Sequence, residues 1–203
     1  MSEDTKSGDY GPGLDRRVAV PALLQGHEDM LIVTGLAGAA RDVAGLCGVS
    51  AGNYYTMAGA MGAATAMGLG LALAQPDKRV VVVTGDGEIL MNVGSLAVVS
   101  VMAPPNLSIV VVDNGHYQET GNQESHTSQG VDLAAMAAGA GIKAVRTVTE
   151  ESQIEEARAM MASSNTPTFV LLKVNGAPPP SVRRSFDAAY TRTKFREHAL
   201  GEP

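Results

Sequence analysis

Asp86 stands between two glycines at the end of one apolar run, RVVVVTGDGEIL (79–90). Asn114 closes a second, LSIVVVDN (107–114). Runs that are apolar at successive positions read as strands buried on both faces, so both polar residues project at strand ends. A carboxylate, an amide oxygen and neighbouring carbonyls are hard oxygen donors that suit Mg²⁺ or Ca²⁺ better than zinc. Mg²⁺ takes few protein ligands and completes its octahedron with phosphate oxygens and water. Gly85 and Gly87 let backbone N–H groups approach an anion, and a helix expected from about Ile89 to Met102 would aim its positive end there. A metal-bridged diphosphate fits this arrangement. Taken singly, Asp-Gly and Asn-Gly are also ordinary turn formers.

The elements that must hold these residues alternate. Strands are expected over 30–35, 79–85, 107–114, 144–148 and 166–174, with a weak one at 53–56. Between them the pattern predicts helices over 15–25, the AARDVAGLCG stretch, 59–74, 89–102, LAAMAAGAG behind an Asp132 cap, and the EESQIEEARAMMASS stretch. Residues 115–130 lack hydrophobic period and read as a long loop, which in a compact domain points to function or disorder. Buried strands alternating with helices predict an α/β fold, a doubly wound parallel sheet with helices on both faces. In such sheets ligands bind outside the carboxyl ends of the strands, where Gly35, Gly85 and Asn114 all fall. Residues 1–13 read as a disordered polar tail, 14–176 as the domain, and 177–203 as a Pro-rich linker with a tail helix from about Ser185. Gly68 and Gly70 are assigned to close helix packing.

The composition narrows the function classes. A length of 203 residues suits one domain, and a net charge of −6 with no Lys/Arg cluster argues against nucleic acid and membrane surfaces. The lone Cys47 excludes an intrachain disulfide and CxxC metal sites. The acidic, polar start is unlike a signal peptide, so a cytoplasmic location is expected.

Gly85-Asp86-Gly87 followed by Asn114 resembles the GDG…N signature of thiamine-diphosphate enzymes, and GAMG (59–62) is similar to that family's GSMG or GSIG segment. The resemblance covers most of residues 30–175. It implies that Asp86, the Asn114 side chain and the His116 carbonyl hold Mg²⁺ on the cofactor diphosphate, with Gly85, Gly87, Glu88 and Gly115 as further cofactor contacts. It also implies that Gly59 offers a carbonyl to the aminopyrimidine and that Met61 is the apolar wedge bending the cofactor. Read without the resemblance, Met61 is core filler. The glutamate that activates the cofactor belongs in this family to a pyrimidine-binding domain for which the chain has no room. Glu88, beside the metal, is at the wrong end of the cofactor. The resemblance thus implies a hetero-oligomer with a separate pyrimidine-binding, α-type subunit.

The short, split layout resembles sulfopyruvate decarboxylase β subunits and the carboxy-terminal half of phosphonopyruvate decarboxylases, implying decarboxylation of a small 2-oxo acid. TGLAGAARD (34–42) is similar to their TG…SRE segment, with Ala40 in place of the serine, and NGHYQETGNQ (114–123) to their Asn-Gly loop. The loop carries His116, Gln118, Glu119, Gln123, Glu124 and His126. His116, His126 and Glu119 are the candidates for a catalytic proton donor, each with a solvated-loop reading beside it. Arg41, Arg183 and Arg184 are candidates for a substrate sulfonate or phosphonate, or else solvated surface charges. Other readings are a split transketolase subunit, since GDGE also occurs there, and a non-catalytic cofactor-binding or regulatory subunit. The basic tail reads either as a solvated helix or as a contact with the partner.

Overall fold

The computed structural model describes residues 10–57, 59–183 and 185–201. Six strands form one wholly parallel sheet: β1 (Met30–Thr34), β2 (Tyr54–Thr56), β3 (Arg79–Gly85), β4 (Leu107–Asp113), β7 (Ala144–Val148) and β8 (Thr168–Lys173). Their order across the sheet is β2-β1-β3-β4-β8-β7, so the chain reverses its direction of travel between β1 and β3. That switch point is where the connections part and leave a crevice.

Side chains alternate between two cores. Ile32, Val81, Val83, Val110, Val112 and Val170 pack under α1 (Arg16–Leu23), α2 (Ala37–Cys47) and α7 (Ile154–Ser163). Leu31, Val33, Val80, Val82, Ile109 and Phe169 face the opposite layer. That layer consists of α3 (Ala64–Ala74), α5 (Ser95–Met102), α6 (Leu133–Gly139) and α8 (Ala188–Leu200). Both faces of each central strand are covered, which accounts for the unbroken valine runs. Asp15 caps α1, accepting from the Arg17 N–H at 2.8 Å, and the expected Asp132 cap forms, accepting from the Ala135 N–H at 3.0 Å.

Several boundaries differ from the sequence pattern for local reasons. α3 begins at Ala64 rather than 59, because Gly62 takes φ +82° and its carbonyl accepts from Asn92 Nδ2 at 2.9 Å. The helix expected over 89–102 is two helices: α4 (Asp86–Leu90), which starts at the aspartate itself, and α5. Between them the Asn92 carbonyl accepts from Ser95 Oγ at 2.7 Å, and Gly94 adds a residue of weak helix propensity. The long loop is not structureless. It folds into a hairpin, β5 (His116–Tyr117) with β6 (Gln123–Glu124), followed by a 3₁₀ turn at His126–Gln129. Its turns rest on positive φ at Gly115, Gly121, Asn122 and Gly130, and its strands are too short to show alternation. The tail helix is α8, capped by Asp187, and it packs on the domain through Phe195 and Ala199. Residues 10–13, expected to be disordered, join the fold. Leu14 bridges to Val174, and the Gly176 N–H donates to the Tyr10 carbonyl at 3.0 Å. Residues 1–9 lie outside the described residues.

Gly68 and Gly70 prove to be different cases. A Cβ on Gly68 would stand 2.1 Å from Val82 Cγ2, so this glycine lets α3 lie on the sheet, whereas Gly70 faces open space. Gly68→Ala is expected to destabilise the chain by about 1–3 kcal/mol through overpacking. Gly70→Ala should stabilise it by roughly 0.5–1 kcal/mol through helix propensity. Urea denaturation of the two variants should show midpoints moving in opposite directions.

Candidate functional site

A cleft of about 420 Å³ opens at the carboxyl ends of β1, β3 and β4, lined among others by Met61, Asp86, Glu88, Asn114 and His116. Asp86 is buried at the junction of β3 and α4. Its Oδ2 accepts a short hydrogen bond from Ser125 Oγ and a longer one from Thr127 Oγ1 at 3.1 Å. Thr127 Oγ1 also lies 2.8 Å from Asp113 Oδ1, so one hydroxyl stands between two buried carboxylates. Asp113 is further held by Lys173 Nζ at 2.7 Å and by the Gly115 N–H at 3.0 Å. Lys173 compensates Asp113, but among the described residues no ion pair reaches Asp86. Burial pushes the Asp86 carboxyl above the usual carboxylate range. The Ser125 hydroxyl opposes this shift, and the charge of Asp113 adds to it.

The donor set fits a hard cation. A buried carboxylate with no ion pair among the described residues lines the same cleft as Asn114, whose amide oxygen is a second hard donor. Among the described residues no three His, Cys, Asp or Glu side chains form a metal cage.

Asn114 Oδ1 accepts from the His116 N–H at 3.2 Å, and His116 Nδ1 lies 2.9 Å from the Asn114 carbonyl. A carbonyl can only accept, so Nδ1 carries the hydrogen there and Nε2 is left for proton exchange. Gly87 fits beneath Tyr117, whose Cε1 would be 2.1 Å from an added Cβ, and Gly115 fits equally closely against Ser128. These glycines seat the hairpin on the strand ends.

Glu88 is buried beside the β1–α2 turn. Its Oε2 accepts from the Leu36 N–H at 3.2 Å and occupies the space a Gly35 side chain would need. Among the described residues its Oε1 is buried without a partner, and burial raises its carboxyl above the usual range. In the same turn Ala37 takes φ +56°, left-handed backbone that a side chain adopts at a cost of about 1–3 kcal/mol.

The sequence-predicted residues divide. Met61, Gly85, Asp86, Gly87, Glu88, Asn114, His116 and Glu119 line the cleft, and Met61 is partly exposed rather than core filler. Gly59 and His126 are both exposed and outside the lining. Arg41, which also read as a surface charge, lines the cleft with NH2 2.6 Å from Glu119 Oε2. Arg183 is exposed, and Arg184 lies outside the described residues.

Ser125, Thr127, Asp113, Lys173 and Arg16 were missed. Arg16 lines the cleft and is buried, bound through Nε and NH2 to Asp42 at 2.6–3.2 Å. It had a legible signal, since it occupies the buried stripe Arg16, Ala19, Val20, Leu23 of α1, where a charge requires a buried partner. Ser125 and Thr127 sit 39 and 41 residues from Asp86, and no local pattern marks that contact.

Residues 41–172 match the thiamine pyrophosphate (thiamine diphosphate, TPP) enzymes in their C-terminal TPP binding domain. The chain is 42% identical over 149 residues to phosphonopyruvate decarboxylase of Streptomyces viridochromogenes, covering 68% of this chain and 37% of that one. It is 48% identical over 100 residues to sulfopyruvate decarboxylase subunit beta of Methanocaldococcus jannaschii, covering 49% and 50%. It therefore spans half or less of these relatives' own lengths. The fold is that of the Rhodococcus jostii RHA1 thiamine diphosphate-dependent 4-hydroxybenzoylformate decarboxylase, with a TM-score of 0.66 and 20% identity over 87% of this chain and 36% of that one. The α/β sheet, the cleft at its switch point and the match over 41–172 place this chain in the family of thiamine pyrophosphate enzymes, as their C-terminal TPP binding domain.

Proposed function

We propose that the chain is the diphosphate-binding, β-type subunit of a heteromeric decarboxylase acting on a small 2-oxo acid with a second anionic group, sulfopyruvate or phosphonopyruvate. The observation that carries this is the meeting of Asp86, Asn114, His116 and Arg41 in one cleft of a chain whose relatives are named for those two substrates.

In this reading Asp86, the Asn114 amide oxygen and the His116 carbonyl hold Mg²⁺ on the cofactor diphosphate, with Gly85, Gly87, Glu88 and Gly115 around it. Gly59 and Met61 lie where the pyrimidine end meets the second chain. The bound cofactor supplies an electron sink for a carbanion next to a carbonyl. Arg41 orients the substrate's sulfonate or phosphonate, releasing Glu119, the counter-ion it now holds. His116, with Nδ1 tied to a carbonyl, exchanges a proton with the substrate through Nε2. Glu119, engaged by Arg41, is the second candidate for that role, and His126, exposed and outside the cleft lining, the third. The group that protonates the pyrimidine comes from the α-type subunit.

Purified with its partner, the chain is expected to release CO₂ and an aldehyde from sulfopyruvate or phosphonopyruvate, and alone to turn over neither. Full turnover by the chain alone, or ketol transfer between sugar phosphates in place of aldehyde release, would overturn the reading.

Asp86→Ala should abolish Mg²⁺-dependent cofactor binding in titration calorimetry. Asp86→Asn should do the same while raising the melting temperature of the metal-free chain at neutral pH. The sign follows from the raised carboxyl. An acid whose pKa is higher in the folded state gives stability below its unfolded value and loses it as pH rises through the folded value, so at neutrality the charge is a burden.

Arg41→Ala in the assembled enzyme should raise KM for sulfopyruvate or phosphonopyruvate roughly 10–100-fold, the worth of a charge-assisted hydrogen bond, with little change for pyruvate. Equal losses on all three substrates would remove Arg41 from substrate recognition.

A further inference from the structure

β4 and β8 run through the core and end on opposite charges, and their register sets Asp113 beside Lys173. Lys173 reaches from a side chain that is 38% exposed to a carboxylate that is 1% exposed, with Nζ 2.7 Å from Asp113 Oδ2. Read alone, this ion pair compensates a buried carboxylate. Asp113 is not isolated, however. Its other oxygen faces Thr127 Oγ1 at 2.8 Å, and that hydroxyl also lies 3.1 Å from Asp86 Oδ2. A threonine hydroxyl carries one hydrogen and donates it to one carboxylate at a time. Asp113 is the closer acceptor, and it also receives the Gly115 N–H and the Lys173 ammonium. Asp86 has the Ser125 hydroxyl as its other side-chain donor. One carboxylate is therefore balanced in charge, and the other is not.

The other cations of the cleft are engaged elsewhere. Arg16 is held by Asp42 and Arg41 by Glu119, each at 2.6 Å. Among the described residues, Lys173 is the cation paired with either of the two strand-end carboxylates. The consequence for a bound ion is a matter of sign. A divalent cation at Asp86 is attracted by both carboxylates and repelled by the ammonium. In a partly solvated site one unit charge at this range shifts its affinity by roughly 3–30-fold. Removing the ammonium leaves two unbalanced carboxylates, so the metal-free chain loses stability while the cation binds more tightly. Removing the charge of Asp113 leaves the ammonium unbalanced, and the cation binds more weakly.

Resting on the reading that Asp86 holds Mg²⁺, we infer that Lys173 is a positioning residue for that ion, acting through Asp113. By cancelling the charge of Asp113 it reserves that carboxylate for the Thr127 hydroxyl and leaves Asp86 as the charged ligand. It also holds the affinity of the site below what two free carboxylates would give.

Mn²⁺, a hard octahedral ion whose free form is counted by electron paramagnetic resonance, tests this on the full chain without cofactor. Lys173→Met is expected to tighten Mn²⁺ binding roughly 3–30-fold and to lower the melting temperature of the metal-free chain. Asp113→Asn, which keeps the shape and the oxygen facing the Gly115 N–H, is expected to weaken binding by a similar factor. The double variant should return to within about threefold of the wild type, and Lys173→Arg should match the wild type. A purely structural ion pair would loosen the strand ends from either side, so both single variants would weaken binding or leave it unchanged. Shifts of the two in the same direction, or no shift, overturn the inference. Should Lys173→Met fail to fold, the same sign is read between Asp113→Asn and the double variant, which leaves no carboxylate unpaired. Loss of the lysine must tighten binding there as well, and equal or weaker binding overturns the inference. Asp86→Ala separates the two levels. Mn²⁺ binding that is absent from the wild type, or that survives in Asp86→Ala, sinks the metal assignment and the inference with it. Binding that needs Asp86 but moves the same way in both single variants overturns the role of Lys173 alone.

Discussion

Two buried carboxylates separated by one hydroxyl are the constraint on which the cleft depends. Asp86 follows β3 as the first residue of α4, Asp113 ends β4, and Thr127 Oγ1 lies within hydrogen-bonding distance of both. Without it the two charges would face each other in a poorly solvated space, where repulsion is strong. Lys173, at the end of β8, balances only Asp113. The segment that supplies Thr127 and Ser125 is thus held down by a charge imbalance at the strand ends. In closing over that imbalance it brings the β5–β6 hairpin, and His116 with it, to the mouth of the cleft. The site is organised around an uncompensated negative charge, which a hard cation would relieve.

A second layer of order surrounds this. Arg16 and Asp42 form a bidentate pair that is almost fully buried, joining α1 to α2 at the cleft wall that Arg16 lines. Breaking such a pair from one side costs about 3–5 kcal/mol. Glu88 joins the β1–α2 turn to α4 from below. The turn that holds Ala37 in its left-handed conformation is thus tied to α4 by a buried carboxylate bound to the Leu36 N–H.

The sheet was legible in the sequence because its strands are buried on both faces. Val80 through Val83 alternate between two separate cores, and only apolar residues satisfy both. Asp86 and Asn114 were legible because strand ends are the one place where such a run can turn polar. The hairpin was not, since Tyr117 and Gln123 pair over a strand of two residues and leave no period to read. The break after α4 was hidden for a related reason: it arises from Asn92 reaching Gly62, thirty residues away, and apolar content continues unchanged across it. Arg41 kept two readings in the sequence because polarity alone does not distinguish an arginine in solvent from one facing a cleft.

The start of the described chain meets the segment that follows β8. Leu14 runs beside Val174, the Gly176 N–H reaches the Tyr10 carbonyl, and Pro178 and Pro179 then pass along the cleft. A polypeptide attached at Tyr10 would emerge within a few residues of the active-site rim. Tethered there, a second domain would find its seat as an intramolecular event, at an effective concentration set by the linker, in the millimolar range for a short flexible one. Two chains that meet only by diffusion have no such help. Their association must come from the surfaces themselves and must hold at cellular concentrations. An arrangement split into two polypeptides therefore shifts the burden of assembly from a linker to contact surfaces that a tethered domain could afford to leave more polar.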